Sequence, residues 1–349
     1  MGAPGQHILY LSRRDVQAAL AGIDPVAAVR EVLARHARGQ TVLPAEAYLG
    51  WSARAGHQAR SLNMPGRIAG PAGVAGTKII NANPANPRRG LPRASGLTVL
   101  FDPDHARIYC VLEAARVSAV RTASVSALAI ELLNDNQAGE LALTGAGELA
   151  RAHLELLPSA VGKLRAISLF DTDRERARAL YGDFAGHLGD SGIRLRVAAS
   201  AREAIQDADV IVTATTTTAG YVARDWLKPG ALLVHVSLDD VLPEVVLEAG
   251  KVIVDDWALV RDDDKRLLGR MYRQGQLAGP DGRSAAGESA AARVHAELGD
   301  IIIGRKPGRS AAGEIILVNP FGLSIEDLAV ARQVYGSARR MGLGVWLEP

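Results

Sequence analysis

From about residue 141 onwards, short apolar runs alternate with longer segments in which apolar and polar residues are mixed. Six segments predict strands, at 141–144, 165–170, 193–197, 209–213, 231–236 and 251–254, and the first is a short apolar run typical of a buried parallel strand. The segments between them predict helices, and Ser200 with Glu203 predicts a capping box for a short one. Strands that alternate with helices favour an α/β fold with a doubly wound parallel sheet.

The first third of the chain carries a different pattern. Residues 8–11 predict a strand, and Asp24 predicts the cap of a helix that begins at Pro25 and stops at Gly39. Residues 47–102 are strand-like and rich in glycine and proline, which predicts an antiparallel or mixed sheet. The following residues, 115–133, predict a helix.

The last part of the chain predicts a loop, a strand and a long helix. Residues 279–291 have few large apolar side chains and predict the loop, and 314–318 predict the strand. Ser324 is predicted to cap a helix that ends near residue 341. Because a final helix of this kind often packs back on the first domain, we expect that domain to be discontinuous.

The first strand of the alternating region ends in a glycine turn, within the sequence LTGAGELA. Gly145 permits a tight turn, Gly147 lets a pyrophosphate approach the backbone, and Ala150 allows the next helix to pack closely. Alone the turn is weak evidence, since chains use glycine for many reasons. The next strand ends in Asp171, about 24 residues after Gly147, where dinucleotide-binding folds place the acid that binds the adenosine ribose.

These positions predict an NAD site at the carboxyl ends of the strands, where parallel sheets bind ligands. Asp171 favours NAD over NADP, because a carboxylate repels the 2′-phosphate. The four threonines that begin at Thr215 either line the cofactor groove or form a plain polar loop. The predicted cofactor contacts are Gly145, Ala146, Gly147, Glu148, Leu149, Asp171, Ala214, Thr215, Ser237 and Leu238.

Three charged residues lie inside or beside apolar runs, where a lone charge is costly unless it has a function or a partner. Lys78 lies in TKII, Arg121 in AVRTAS, and Asp240 follows the predicted strand at 231–236. They are candidates for the reacting groups beside a nicotinamide. Alternatively, Lys78 and Arg121 are solvated charges, and Asp239 competes with Asp240 for the role at the strand end.

Composition narrows the class of protein. The 349 residues suffice for two domains, and 48% hydrophobic residues exclude a disordered chain. A net charge of +2 with scattered arginines gives no support for binding to nucleic acid or a membrane surface. The single cysteine, Cys110, is expected to be a core thiol, and no His/Cys spacing suggests a metal site. Without a signal-peptide core or a membrane-length apolar run, a cytoplasmic protein is expected.

Motifs spread over nearly the whole chain resemble those of the ornithine cyclodeaminase/mu-crystallin family. They are TKIINANPAN, AVRTASVSA, LTGAGELA, DDVLPEV, HAELGDIIIGRKPGR and VNPFGLSIEDLA. The resemblance implies a Rossmann NAD-binding domain at 121–319. It also implies a discontinuous α+β domain at 1–120 and 320–349 that binds substrate and forms a homodimer.

The same resemblance implies roles for the charged residues. Lys78 and Arg121 would face the α-carboxylate and the reacting centre of an amino-acid substrate, and Asp240 would be the catalytic acid/base. Glu326 and Asp327 match the family's acidic pair, to which the sequence assigns no role.

Within the family, the runs PRASG, VIVDDW, HAELG and GLGVWLEP are most similar to members that cleave N-(2-amino-2-carboxyethyl)-L-glutamate. That reaction yields 2,3-diaminopropionate and 2-oxoglutarate for siderophore or peptide-antibiotic biosynthesis. Cyclodeamination of ornithine or lysine and reduction of imino acids (ketimines) stay as alternatives on the same fold. A non-enzymatic dinucleotide-binding protein is a third.

Two arginines are expected to bear on the choice of substrate. The segment around Glu46 lacks the basic residue that cyclodeaminases usually carry, and Arg60 is a candidate for its place. Arg93 lies where cyclodeaminases typically have a small hydroxyl residue. We expect Arg93 to pair with the distal carboxylate of a glutamate conjugate, which its planar guanidinium suits.

Overall fold

A computed structural model describes residues 7–54, 56–70, 73–134 and 138–348. The chain divides into two compact units, one of Met1–Arg121 with Leu323–Pro349 and the other of Thr122–Gly322. The first unit is therefore discontinuous in sequence. Its assignment to substrate binding and dimerisation stays a prediction.

The elements follow the chain in two series. The strands are β1 (Ile8–Leu11), β2 (Thr41–Val42), β3 (Ala47–Ser52), β4 (Gln58–Ile68), β5 (Val74–Ala82), β6 (Ala94–Phe101), β7 (Ile108–Glu113), β8 (Glu140–Thr144), β9 (Ala166–Phe170), β10 (Arg194–Val197), β11 (Val210–Thr213), β12 (Leu232–His235), β13 (Lys251–Val254), β14 (Leu277–Ala278), β15 (Ala292–Glu297), β16 (Ile316–Val318) and β17 (Val345–Leu347). The helices are α1 (Arg13–Leu20), α2 (Pro25–Ala37), α3 (Ala114–Leu133), α4 (Glu148–Ala160), α5 (Arg174–Asp190), α6 (Ala201–Ile205), α7 (Pro243–Leu247), α8 (Trp257–Asp262), α9 (Leu267–Arg273), α10 (Leu298–Ile302) and α11 (Ser324–Met341).

The first unit is built on an eight-stranded sheet in the order β17-β1-β7-β6-β5-β4-β2, with β3 paired to β4. Strand β1 runs parallel to β7 and antiparallel to β17, which confirms the predicted antiparallel or mixed sheet. Cys110 of β7 is fully buried, as predicted for a core thiol, and burial raises its pKa to about 12. The predicted cap of α2 is also confirmed, since Asp24 Oδ1 accepts the Ala27 N–H at 2.9 Å.

Helix α11 packs against β4, β5 and β6 of this sheet. A Cβ at Gly66 of β4 would lie 2.6 Å from the Ser324 hydroxyl, so the close approach of the helix requires glycine there. The predicted cap at Ser324 was wrong by one residue, because Leu323 is the cap and Ser324 is the first helical residue. Its hydroxyl donates instead to the Pro65 carbonyl at 2.7 Å.

The second unit is built on a nine-stranded, all-parallel sheet in the order β10-β9-β8-β11-β12-β16-β13-β15-β14. The strand order reverses between β8 and β11, which confirms the doubly wound prediction and creates a crevice at their carboxyl ends. Strands β14 and β15 were not predicted. Because polar Arg293, His295 and Glu297 alternate with small or apolar residues in β15, that strand lacks the continuous apolar run of a buried parallel strand.

The predicted capping box of α6 is only half formed. Ser200 Oγ accepts the Glu203 N–H at 3.1 Å, as expected. The Glu203 carboxylate, however, accepts the N–H of Ala199 at 2.9 Å rather than that of the cap residue. In the described part of the chain, no helix is both long and apolar enough to cross a membrane.

Protonation of a buried histidine is expected to destabilise the second unit in acid. His153 lies between the Leu149 carbonyl, 2.6 Å from Nδ1, and the Ser126 hydroxyl, 2.8 Å from Nε2, and burial lowers its pKa to about 4. An unfolded histidine has a pKa of about 6.5, so the folded state disfavours the proton. The contribution of His153 to the free energy of unfolding should therefore be fully present above pH ~6.5. The free energy of unfolding should fall by about 3 kcal/mol as the pH drops to ~4.

Urea unfolding followed by tryptophan fluorescence across this pH range measures the effect. His153→Gln should remove this part of the pH dependence and leave the part due to His235, whose pKa is lowered to about 3 by burial and by Arg266. His187→Gln, on the exposed face of α5, is the matched control. Equal pH slopes for the wild type and His153→Gln would contradict the prediction.

Candidate active site

The glycine turn after β8 is tied to the strands on both sides of it. Gly145 has a φ of +96°, and a Cβ there would lie 2.6 Å from the Ala214 carbonyl oxygen. Its N–H donates to the Phe170 carbonyl at 2.7 Å, and the Ala146 N–H donates to Asp171 Oδ2 at 2.7 Å. No side chain fits at Gly145, so the sequence permits the turn only with glycine at this position.

Asp171 has a structural task in addition to its predicted contact with the ribose. Its Oδ1 accepts the Asp173 N–H at 2.8 Å, while Oδ2 holds the turn through Ala146. Each carboxylate oxygen has a second lone pair for a ribose hydroxyl. The arrangement therefore fits the predicted role, which stays a prediction.

The start of α4 fits a pyrophosphate. Gly147 is the cap residue, and beyond its chain neighbours no atom of the described residues lies within 4 Å of the place a Cβ would take there. The first N–H groups of a helix that begins at Glu148 and Leu149 have no acceptor within the helix, and the helix dipole favours an anion beside them. These residues suit the diphosphate of a dinucleotide.

The other predicted cofactor contacts lie at the same edge of the sheet. The Ala214 N–H donates to the Thr144 carbonyl at 2.8 Å, and the Ser237 hydroxyl lies 3.0 Å from that of Thr213, just before Leu238. Thr215 Oγ1 donates to Asp240 Oδ1 at 2.8 Å, so the first of the four threonines contacts the catalytic candidate. Whether these residues also contact the cofactor stays a prediction.

Asp240 is fully buried, and its two carboxylate oxygens differ in their hydrogen bonds. Oδ1 accepts hydrogen bonds from Thr215 at 2.8 Å and from the phenol of Tyr221 at 3.0 Å. Oδ2 has no hydrogen-bond partner among the described residues. Burial raises the pKa of Asp240, and polar contacts with Ser237, Thr215 and Tyr221 oppose the rise. One oxygen is thus anchored while the other can accept a proton.

Asp239, the alternative to Asp240, is engaged elsewhere. Its Oδ1 forms an ion pair with Arg270 at 2.8 Å. Arg270 therefore occupies this carboxylate, whereas Asp240 Oδ2 has no hydrogen-bond partner among the described residues. The geometry therefore favours Asp240 as the proton acceptor.

Two residues beside Asp240 were not predicted. Tyr221 bonds to Asp240 and lies 2.7 Å from the Thr144 hydroxyl, and His235 Nε2 accepts the Asp240 backbone N–H at 3.1 Å. His235 was accessible to the reasoning used for Lys78, because it is the one polar residue of a strand that reads LLVH. Tyr221 lies in a loop, and nothing in its sequence surroundings marks it.

Lys78 and Arg121 lie in a buried ion cluster of the first unit. Lys78 Nζ is 2.6 Å from Asp327 and 3.3 Å from the Ser118 hydroxyl, and Arg121 is 2.8 Å from Glu326 and 3.4 Å from Asp327. Lys78 is 2% and Arg121 8% exposed, so the alternative that they are solvated charges is wrong. Burial lowers the pKa of Lys78, and Asp327 opposes the change.

The acidic pair now has a physical role. Glu326 and Asp327 are both fully buried and neutralise the two cations, because an uncompensated charge would be strongly destabilising at such a site. The cluster has no net charge, yet a lysine carries three N–H donors and an arginine five. The predicted binding of a substrate carboxylate by Lys78 and Arg121 stays a prediction.

Arg60 and Arg93 carry positive charge without compensation. Both are half-buried, and in the described part of the chain neither guanidinium has an ion pair or hydrogen bond. Arg60 pairs with Ala82 across β4 and β5, and the Arg93 carbonyl accepts the Asn83 N–H at 2.9 Å. The two backbones are thus two strand spacings apart, about 10 Å. Burial and the repulsion of Arg60 lower the pKa of Arg93.

Lys78 and Arg60 lie on the same face of the sheet. Lys78 and Ala82 are four residues apart on β5, and Arg60 is directly opposite Ala82. Side chains at even spacing share a face, and four residues span about 13 Å along a strand. The first unit therefore presents a neutral ion cluster and, about 13 Å along the same strand, an excess of positive charge.

Comparison with known proteins finds relatives that match nearly the whole chain. The family model described as ornithine cyclodeaminase/mu-crystallin family matches residues 8–342. N-((2S)-2-amino-2-carboxyethyl)-L-glutamate dehydrogenase of Staphylococcus aureus is 31% identical over 98% of this chain and 99% of its own length. The crystal structure of CmnK is similar with a TM-score of 0.88 and 36% identity, covering 98% of both chains. An archaeal alanine dehydrogenase dimer with bound NAD has a TM-score of 0.81 at 25% identity, covering 98% of this chain and 99% of that one.

These similarities confirm the α/β fold and the cofactor prediction. Two of these three proteins are dehydrogenases, one of them with bound NAD, and the protein is an NAD-dependent oxidoreductase. The match spans both units, from β1 to the end of α11. The chain belongs to the ornithine cyclodeaminase/mu-crystallin family.

Proposed function

We propose that the protein uses NAD to cleave N-(2-amino-2-carboxyethyl)-L-glutamate oxidatively into 2,3-diaminopropionate and 2-oxoglutarate. The observation that carries the proposal is the uncompensated pair of Arg60 and Arg93. The relative from Staphylococcus aureus, which is named for this substrate, supports it.

The charge of the substrate explains the arginines. The conjugate has three carboxylates, whereas ornithine and alanine have one each. Lys78 and Arg121 are already balanced by Glu326 and Asp327, so additional carboxylates need additional cations. Arg60 and Arg93 supply two, and a guanidinium can bind a carboxylate through two parallel hydrogen bonds.

Each residue of the site has a task in this reaction. NAD, held by the turn at Gly145 and the start of α4, would supply the hydride acceptor for oxidation of the α-carbon of the glutamate moiety to an imine. Lys78 and Arg121 hold the adjacent α-carboxylate and so orient that carbon. Asp240 accepts, through Oδ2, a proton from the water that attacks the imine carbon.

The second proton transfer completes the cleavage. Asp240 returns its proton to the nitrogen, the bond between that nitrogen and the former imine carbon breaks, and Asp240 takes up the hydroxyl proton as the C=O bond forms. The carbon becomes the keto carbon of 2-oxoglutarate, and the amine leaves as 2,3-diaminopropionate. A carboxyl group whose pKa is raised by burial suits both transfers, because it exchanges a proton near neutral pH.

The proposal also covers the oligomeric state of the protein and the biosynthetic pathway in which it acts. We propose a homodimer formed through the first-unit sheet, because Tyr48, Leu49 and Trp51 of β3 and Trp346 of β17 are large, apolar and exposed. The archaeal alanine dehydrogenase, a relative of this chain, is described as a dimer. A cytoplasmic role in making diaminopropionate for a siderophore or a peptide antibiotic belongs to the proposal as well.

A substrate panel tests the reaction. The protein is incubated with NAD and, separately, the glutamate conjugate, L-ornithine and L-alanine, and NADH absorbance is read together with mass-spectrometric products. The conjugate should give one NADH for each 2,3-diaminopropionate and 2-oxoglutarate. Conversion of ornithine to proline without accumulating NADH would identify a cyclodeaminase instead and overturn the proposal.

Arg93→Ala tests the substrate pocket. The KM for the conjugate should rise by a factor that corresponds to about 2–4 kcal/mol, the scale for losing one partner of a desolvated ion pair. Binding of NAD should be unchanged, since Arg93 lies in the first unit. Arg89→Ala, an exposed arginine of the neighbouring turn, is the matched control. A KM equal to that of the wild type would show that Arg93 does not bind the substrate.

A further inference from the structure

We propose that Tyr221 is a positioning residue that acts through Asp240: its phenol holds Oδ1 so that Oδ2 faces the reacting proton. This inference rests on the acid/base role of Asp240 in the proposed function. Tyr221 itself does not exchange a proton with the substrate.

The hydrogen bonds around the phenol define its task. Its oxygen is 3.0 Å from Asp240 Oδ1 and 2.7 Å from the Thr144 hydroxyl, while Thr215 donates to the same Oδ1 at 2.8 Å. A phenol has one hydrogen, and the carboxylate is the stronger acceptor. The Thr144 hydroxyl can donate to the phenol oxygen in turn. The result is an ordered chain from Thr144 through Tyr221 to Asp240.

The backbone fixes the two residues to one another. The N–H groups of Tyr221 and Val222 both donate to the Asp240 carbonyl, at 2.8 and 2.9 Å. Val222 forms a parallel bridge with Val241, and the Tyr221 ring lies 6.5 Å from that of Trp226. These backbone contacts therefore hold the loop that carries Tyr221 beside Asp240.

The charged groups near Asp240 do not ionise the Tyr221 phenol, which therefore acts as a neutral hydrogen-bond donor. Burial, followed by the charge of Asp240, raises the pKa of Tyr221 far above neutrality, so it keeps its proton. His235 Nε2 is 3.9 Å from Asp240 Oδ2 but stays uncharged, because burial and Arg266 lower its pKa to about 3. Asp239 is paired with Arg270. The negative charge of Asp171 raises the pKa of Tyr221 further.

Tyr221→Phe removes the hydroxyl and keeps the ring. Loss of a donor to the carboxylate should raise the pKa of Asp240, because hydrogen bonds to the charged form favour ionisation. Asp240 must be ionised to accept a proton, so the acidic limb of the kcat/KM profile should move to higher pH by about one unit. Affinity for NAD, measured by titration, should not change.

Two further variants separate this inference from the proposed function. Asp240→Asn should remove the acidic limb and lower the rate roughly a hundred- to ten-thousand-fold. Tyr181→Phe, an exposed tyrosine of α5, should leave the profile unchanged. The profiles are recorded with whichever amine substrate the wild-type protein oxidises, so failure of the glutamate conjugate does not remove the test.

The outcomes are distinguishable. The inference is supported if the acidic limb of the kcat/KM profile disappears in Asp240→Asn and moves to higher pH in Tyr221→Phe. A lost limb in Asp240→Asn with an unshifted limb in Tyr221→Phe overturns the role of Tyr221 alone. Weaker NAD binding without a shift also overturns it, since Tyr221 would then only shape the cofactor pocket. A near-normal rate in Asp240→Asn overturns the proposed base, and the inference about Tyr221 with it.

Discussion

Burying a charge without a partner costs several kcal/mol, and the ion cluster of the first unit is built to avoid that cost. Lys78 comes from β5, Arg121 from α3, and the two carboxylates from the first turn of α11. Removing one member would leave a buried charge unmatched, which typically destabilises a protein by about 3–5 kcal/mol. The cluster thus links β5 to a helix 249 residues further along the chain. It gives a physical reason for the return of the last segment to the first unit.

The same constraint distinguishes structural charges from those expected to meet a ligand. Glu326 and Asp327 are matched by cations in the folded chain. Asp240 Oδ2, and the guanidiniums of Arg60 and Arg93, have no such match in the described residues. Groups that the protein leaves uncompensated are where perturbed pKa values and ligand contacts concentrate. This contrast underlies the assignment of proton transfer to Asp240 and of carboxylate binding to the two arginines.

Local signals in the sequence predicted local structure well. The central parallel strands are largely apolar runs, the Asp24 cap lies directly before Pro25, and the glycine turn directly follows β8, so each could be predicted from adjacent residues. The predicted cap at Ser324 failed because its hydroxyl donates to the Pro65 carbonyl, across the fold. The predicted capping box failed because the Glu203 carboxylate accepts the N–H of Ala199, one residue before the cap. The partners of Lys78 and Arg121 could not be predicted, because they are separated by more than 200 residues. Tyr221 was missed for the same reason, since only the folded loop brings it to Asp240.

In the proposed reaction the α-carbon of the glutamate moiety is the oxidised centre, and isotopic labelling tests this most directly. The conjugate is prepared with deuterium at that carbon and incubated with the protein and NAD, and the products are analysed by mass spectrometry. Deuterium should appear in the reduced nicotinamide and be absent from 2-oxoglutarate and 2,3-diaminopropionate. Formation of unlabelled NADH, or recovery of the deuterium in an amino-acid product, would contradict it.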